Sequence, residues 1–141
     1  MRVHIELVGA GEPAPALRLM SAIPPDLTLA HITGVDLRGD RLTLRVKGVR
    51  RQAVVFAGTV TFTGVSALVG VDERAPGASP TLTAGSTVLR MSRPEPNQTV
   101  LEINRPVGPG DADYHRFTIT HHGTTVALRP SPLSTLRRWG L

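Results

Sequence analysis

Cysteine is absent from this chain of 141 residues, aromatic residues make up only 4%, and no apolar run reaches the length of a membrane span. Without cysteine the protein has no disulfide, no zinc–thiolate site and no thiol nucleophile. A membrane helix needs about 20 consecutive apolar residues, so we expect no membrane association. Arg2 is followed by a strand-like pattern where a signal peptide would have an apolar segment. These absences predict a cytoplasmic protein, or a virion protein if it belongs to a particle.

Lysine is nearly absent as well, because Lys47 is the single lysine among 16 basic residues in a chain of formal net charge +5. The simplest explanation of this arginine bias is a GC-rich genome. The functional alternative is bidentate binding of carboxylate or phosphate, for which the planar guanidinium is better suited than an ammonium group.

What the sequence does contain is repeated alternation of apolar and polar residues, as in residues 2–7, 41–46 and 124–129. A period of two places the apolar side chains on one face of a strand and the polar ones on the other. The scarcity of aromatic residues leaves a mainly aliphatic core, which suits two thin sheets packed face to face. The pattern therefore predicts one all-β domain over residues 1–141, an antiparallel β-sandwich or flattened barrel of about eight to ten strands.

Turn residues and periodicity predict further local features. Residues 27–37 and 41–48 form a hairpin around Gly39-Asp40, and residues 114–121 and 124–129 form a closing hairpin. Residues 53–71 form either two strands or one long strand that bends between sheets, because glycines interrupt the pattern. Residues 105–113 form a loop.

Two short helical segments complete the predicted fold. A short N-terminal helical turn is expected in residues 15–22, before the prolines at positions 24 and 25 stop it. A short C-terminal helix is expected to begin near Ser131 and to dock Trp139 on the sheets.

The titratable residues form no recognisable catalytic or metal-binding motif. His115 and His121 share a strand face but lie about 20 Å apart along it, too far to ligate one metal ion. The loop carboxylates at positions 72, 73, 111 and 113 lack the ligand spacing of a calcium site. We therefore predict no cofactor, no metal and no enzymatic activity. A hydrolase with carboxylates gathered across strands stays open, because only their separation in space matters.

The strongest local charge feature is a series of basic residues on and after the predicted strand 41–48. We call it the basic strip, and its members are the candidate partner-binding residues Arg41, Arg45, Lys47, Arg50 and Arg51. Three interpretations are open: a solvated sheet face, a docking surface for an acidic protein, or a nucleic-acid contact. No aromatic residue is interleaved to stack on bases, which disfavours nucleic acid.

Two stretches of the chain resemble the immunity protein 50 family of small bacterial proteins. The first is residues 24–29 (PPDLTL) with Ile32, Val35 and the strand at 40–44. The second is residues 62–65 (FTGV) with Leu68, then residues 114–119 (YHRFTI) with Gly123 and Val126. The resemblance implies a non-enzymatic protein that binds and neutralises a toxin made by the same cell. It assigns no role to any residue.

The expected function is therefore an immunity-type binding protein whose partner is a protein with an acidic surface. The alternative is a structural subunit of a phage virion, tail or contractile particle, since exposed strand edges can add to neighbouring sheets. The oligomeric state stays open.

Overall fold

The computed structural model describes residues 24–75 and 77–131, and the backbone of residues 4–8 and 16–21. Strands account for most of them, as the alternating sequence predicts. Ten strands lie within these residues, namely β1 (His4–Val8), β2 (Ala16–Ser21), β3 (His31–Arg38), β4 (Arg41–Arg51), β5 (Val54–Thr63), β6 (Ala67–Val71), β7 (Ser86–Ser92), β8 (Gln98–Gly108), β9 (Asp111–Thr120) and β10 (Gly123–Pro130).

All ten strands belong to one hydrogen-bonded antiparallel sheet with the order β1-β2-β10-β5-β4-β3-β7-β8-β9-β6. The all-β, antiparallel fold class is confirmed. Gly39, with φ of 58°, lies in the β3–β4 turn, and Arg38 pairs with Arg41 across it. The predicted first hairpin is therefore present.

The predicted N-terminal helical turn at residues 15–22 is wrong, because residues 16–21 form β2. β2 is hydrogen-bonded to β1 on one side and to β10 on the other. An isolated helix of two turns is marginal in water, whereas a strand between two neighbours satisfies its backbone groups on both edges. The predicted C-terminal helix with Trp139 lies outside the described residues.

The predicted closing hairpin is also wrong, because β9 pairs with β8 and β6 whereas β10 pairs with β2 and β5. The chain bends at His121 and His122 and leaves one part of the sheet for another. A second bend, at residues 64–66 between β5 and β6, lies next to the bend at His121 and His122. The amide of His122 donates to Thr63 O at 2.9 Å, and the amide of Ser66 donates to Thr120 O at 2.9 Å. Backbone pairing thus continues through the bend, so residues 54–71 and 111–130 run as two long partners that bend together.

Residues 105–113, predicted as a loop, extend β8 and β9 into a longer hairpin. Arg105 pairs with Asp113, and the turn contains Gly110 at φ of 72°. A register shift between Pro106 and Gly108 accommodates Pro106 within the strand.

The core of the described residues is one cluster of buried side chains that draws on strands β3, β4, β5, β7, β8, β9 and β10. Among the described residues its only aromatic members are Phe62 on β5 and Phe117 on β9. The mainly aliphatic core predicted from composition is confirmed for this part of the chain.

Candidate functional site

The basic strip lies along β4, and all five of its residues are exposed. Leu42, Leu44 and Val46 alternate with it and are buried, as the period of two predicts. A register shift between Val46 and Val49, at Gly48 with φ of 74°, restarts the alternation. Val49 is buried again, so Arg50 returns to the outer face. The bulge therefore places Arg50 on the same face as Arg41, Arg45 and Lys47. Arg51 follows Val49 by two residues and is exposed at the end of the strand.

The basic strip has no ion-pair partner within the described part of the chain. None of its five residues forms an ion pair or a side-chain hydrogen bond with a described residue. The nearest acidic side chain on β3, Asp36, is engaged by Arg38, whose Nε lies 3.0 Å from Asp36 Oδ2. Asp36 therefore leaves the charge of the strip available to a partner.

A recess of about 280 Å³ adjoins the strip where β3 meets β7. Lys47 lies on its wall beside His31, its cross-strand neighbour on β3. The imidazole of His31 is oriented by Thr87, with Nδ1 2.8 Å from the hydroxyl oxygen. An ammonium group and an imidazole around one small recess are suited to receiving a carboxylate.

A larger cleft of about 360 Å³ lies at the other part of the sheet, where β6 leads into the loop after it. We call Asp72, Glu73 and Arg74 the clasp, because each contacts one of three consecutive residues of β9. Asp72 Oδ2 lies 3.3 Å from His115 Nε2, and Glu73 Oε1 lies 3.6 Å from an Arg116 guanidinium nitrogen. The guanidinium of Arg74 lies 5.4 Å from the centre of the Tyr114 ring.

The cleft beside the clasp has an apolar lining and charged walls. Leu89 and Val71 supply the apolar surface, and the core residue Ile103, only 1% exposed, lies behind them. Glu102 also lines the cleft. The Asp72 and His115 side chains are only 18% and 10% exposed, so their pair is largely shielded from water. An aspartate–histidine pair can orient an imidazole as a proton acceptor. The lining residues include no serine, threonine or cysteine to serve as a nucleophile.

The sequence did not predict this cleft. The carboxylates at 72 and 73 were considered only as loop residues without calcium-site spacing, and His115 only as too distant from His121 to share a metal ion. Asp72 and His115 are far apart along the chain and meet only because β6 pairs with β9. The one signal in the sequence was the presence of two short runs, three charged residues at 72–74 and one aromatic with two basic residues at 114–116.

No cluster of histidine, aspartate and glutamate within residues 24–75 and 77–131 has the geometry of a metal site. None of the described segments forms a helix with the length and apolarity that a membrane crossing requires.

Comparison with known proteins adds no assignment. No protein-family model matches the chain, no curated protein is significantly similar to it, and no solved structure matches its fold. The resemblance to the immunity protein 50 family therefore stays a prediction.

Proposed function

We propose that this chain is a non-enzymatic binding protein of the immunity type, which neutralises a cognate toxin by docking β4 onto an acidic surface of that toxin. The observation that carries the proposal is the basic strip, a row of exposed cations without partners among the described residues. Solvated sheet faces usually mix charges of both signs, which pair with one another across strands. A row of one sign is instead complementary to a surface of the opposite sign.

The dimensions of the strip suit a protein partner. Its first and last members, Arg41 and Arg51, are separated by about 33 Å of extended strand. That length is comparable to the width of a standard protein interface, which buries about 800 Å² on each partner. Four of the five residues are arginine, the cation that pairs bidentately with carboxylates.

The recess beside Lys47 supplies an anchor point within this surface. We propose that a carboxylate side chain of the toxin enters it between Lys47 and His31. Residues that fill a pocket near the centre of an interface contribute most of its binding energy, whereas exposed charges mainly speed association.

We also propose that the sheet closes as a flattened barrel, which would give β4 a rigid support. Three features favour this: the joint bend of the long strands, the short β3–β7 pairing at the other corner, and a core shared between strands distant in the sheet order. Docking on a rigid strand loses little conformational entropy.

The test is binding of the purified toxin whose gene lies beside that of this chain, measured by calorimetry and by association kinetics. We expect Arg45→Glu or Lys47→Glu to weaken binding about fivefold to tenfold at low salt, mainly through a slower association rate. Arg105→Glu is the matched control, because Arg105 is exposed on β8 and the charge change is the same. Equal effects of all three variants, or no binding of the wild-type chain, would contradict the proposal.

A structural subunit of a phage particle is the second candidate, favoured by the outer edge of β6. β6 pairs with β9 on one side, and within the described residues nothing pairs with its other side. Its sequence, ALVGV, contains neither charge nor proline, the usual protections of an exposed edge. Val69 is 54% exposed there. Assembly into rings or tubes that Val69→Lys abolishes would support this candidate, and a stable monomer at high concentration would exclude it.

A further inference from the structure

We propose that the cleft beside the clasp is a binding site for a small carboxylic acid with an apolar body. This site lies on strands β6 to β9 and is separate from the basic strip on β4. The inference therefore does not depend on the proposed toxin-binding function.

The lining of the cleft is the reason to propose a ligand with an apolar body. Leu89 is 40% exposed although it is a large aliphatic residue, because a register shift between Val88 and Arg90 makes it the extra residue of a bulge. Val71 also lines the cleft and is half-buried, whereas Ile103 is only 1% exposed and adds little free surface. Covering this exposed apolar surface with a hydrocarbon group removes it from water, which favours binding.

The side chain of Arg74 is the reason to propose an acidic group on the ligand. Its guanidinium is held against the face of Tyr114 and makes no ion pair with a described residue. The backbone amide of Arg74 donates to Asp72 Oδ1 at 2.9 Å, which fixes the turn that presents the side chain. A guanidinium whose face is occupied by an aromatic ring still has its N–H edge free to bind a carboxylate bidentately.

The two glutamates of the cleft do not reverse this preference, because each lies beside positive charge. Glu73 is 77% exposed and contacts Arg116. Glu102 stands in register between Arg90 on β7 and Arg116 on β9. Opposite charges on adjacent strands attract across the ladder. Among the described cationic side chains that line the cleft, the Arg74 guanidinium is therefore the one without an ion pair, and an incoming acid would supply its carboxylate.

The volume limits the size of the acid. A cleft of about 360 Å³ is near the lower end of the range for small-molecule sites, about 300 to 1,000 Å³. It accommodates a ring or a short alkyl chain attached to one carboxylate. We expect micromolar to millimolar affinity, because the cleft is open on one side.

The test uses the full chain labelled with nitrogen-15 and titrated with 4-phenylbutyrate and hexanoate, each matched with the amine of the same carbon skeleton. We expect the acids to shift the amide signals of residues 71–74, 102–103 and 114–116 in a saturable way, and the amines to leave these signals unshifted. Shifts centred on β4 would mean that the acids bind the basic strip instead, and would overturn the assignment. An equal response to the amines, or none to either acid up to millimolar concentration, would overturn it too.

Two variants locate the contacts. Arg74→Gln removes the charge of an exposed side chain and should weaken acid binding about tenfold, as expected for a lost charge-assisted hydrogen bond. Leu89→Ser should weaken 4-phenylbutyrate more than hexanoate, because the larger apolar group loses more contact. Arg105→Gln is the charge-matched control and should bind normally. Unchanged binding by Arg74→Gln, in a variant whose spectrum shows an intact fold, would contradict the proposed site.

Discussion

The Nε2 atom of His121 lies 2.8 Å from the hydroxyl oxygen of Thr99, and both side chains are buried. His121 stands at the bend between β9 and β10, where its backbone amide donates to Asn97 O at 2.8 Å. The imidazole also packs edge-on against Phe62, with ring centres 4.9 Å apart. A polar residue thus ties the bend to the start of β8 and to the core.

Acid should weaken the fold through His121. Burial is the main cause that lowers the pKa of His121 below its ordinary value of 6.5. A backbone interaction with Gly123, which acts as acceptor, raises this pKa in part, and the nearby Arg93 and His122 lower it further. The unfolded chain therefore takes up a proton at a higher pH than the folded one, and stability falls as pH drops below about 6.5. Urea unfolding at about pH 7.5, 6.5 and 5.5 measures this. His121→Gln should make stability depend less on pH over this range. The exposed neighbour change His122→Gln removes only the smallest of these contributions and should alter the pH dependence little. Equal slopes in wild type and His121→Gln would contradict this role.

Thr99→Val should cost about 1–3 kcal/mol of unfolding free energy, because it leaves the ring nitrogen of His121 without its partner in the core. The shape of the side chain is nearly unchanged, so packing contributes little. Thr118→Val, on β9 and only half-buried, is the control and should cost less than about 0.5 kcal/mol. Chemical denaturation measures the unfolding free energy of both variants. A similar loss of unfolding free energy in the two would count against a stabilising role of the Thr99–His121 hydrogen bond.

Gly70→Ala should destabilise the protein by about 1–3 kcal/mol through overpacking. A Cβ atom at Gly70 would lie 2.7 Å from both a Phe117 ring carbon and the backbone oxygen of Pro80. The backbone oxygen cannot rotate away, so the segment at Pro80 must shift. Gly108→Ala is the matched control, because no atom lies within 4 Å of a Cβ there. Thermal unfolding measures both, and a neutral Gly70→Ala would show that this packing is looser than described.

Asp72→Ala should cost more stability than Glu73→Ala, by about 1 kcal/mol or more. Asp72 pairs with a largely buried imidazole and also accepts from the amide of Arg74. Glu73 makes one long contact at the surface, and exposed ion pairs contribute about 0–1 kcal/mol. Unfolding free energies at neutral pH test the order. Amide hydrogen exchange of residues 72–75 should also be faster in Asp72→Ala. An equal loss of unfolding free energy in the two variants would contradict the ranking.

The sequence was sufficient for features that depend on neighbouring residues. Alternation along β4 predicted correctly that Leu42 and Leu44 are buried and that Arg45 is exposed. The turn at Gly39 followed from the same local information. Such features are decided within a few residues, where period and turn chemistry dominate.

Features that depend on distant pairing were missed. Nothing near His122-Gly123 distinguishes a hairpin tip from a bend, because the choice is made by β5 and β6, which accompany the chain through it. β2 was interpreted as helical because the neighbours that make it a strand, β1 and β10, lie elsewhere in the sequence. The cleft was missed for the same reason, since the clasp and β9 meet only in the folded sheet.

The most direct test of the central claim is the salt dependence of toxin association, measured by stopped flow on the wild type and on Arg45→Glu. Exposed charges are screened over about 10 Å at 0.1 M salt, so an interaction driven by the basic strip must slow as salt rises. We predict a fall of at least about tenfold in the association rate between roughly 0.02 M and 0.3 M salt, with a shallower fall for Arg45→Glu. A rate that is independent of salt, with the same value in both proteins, would contradict the claim that β4 docks on an acidic partner.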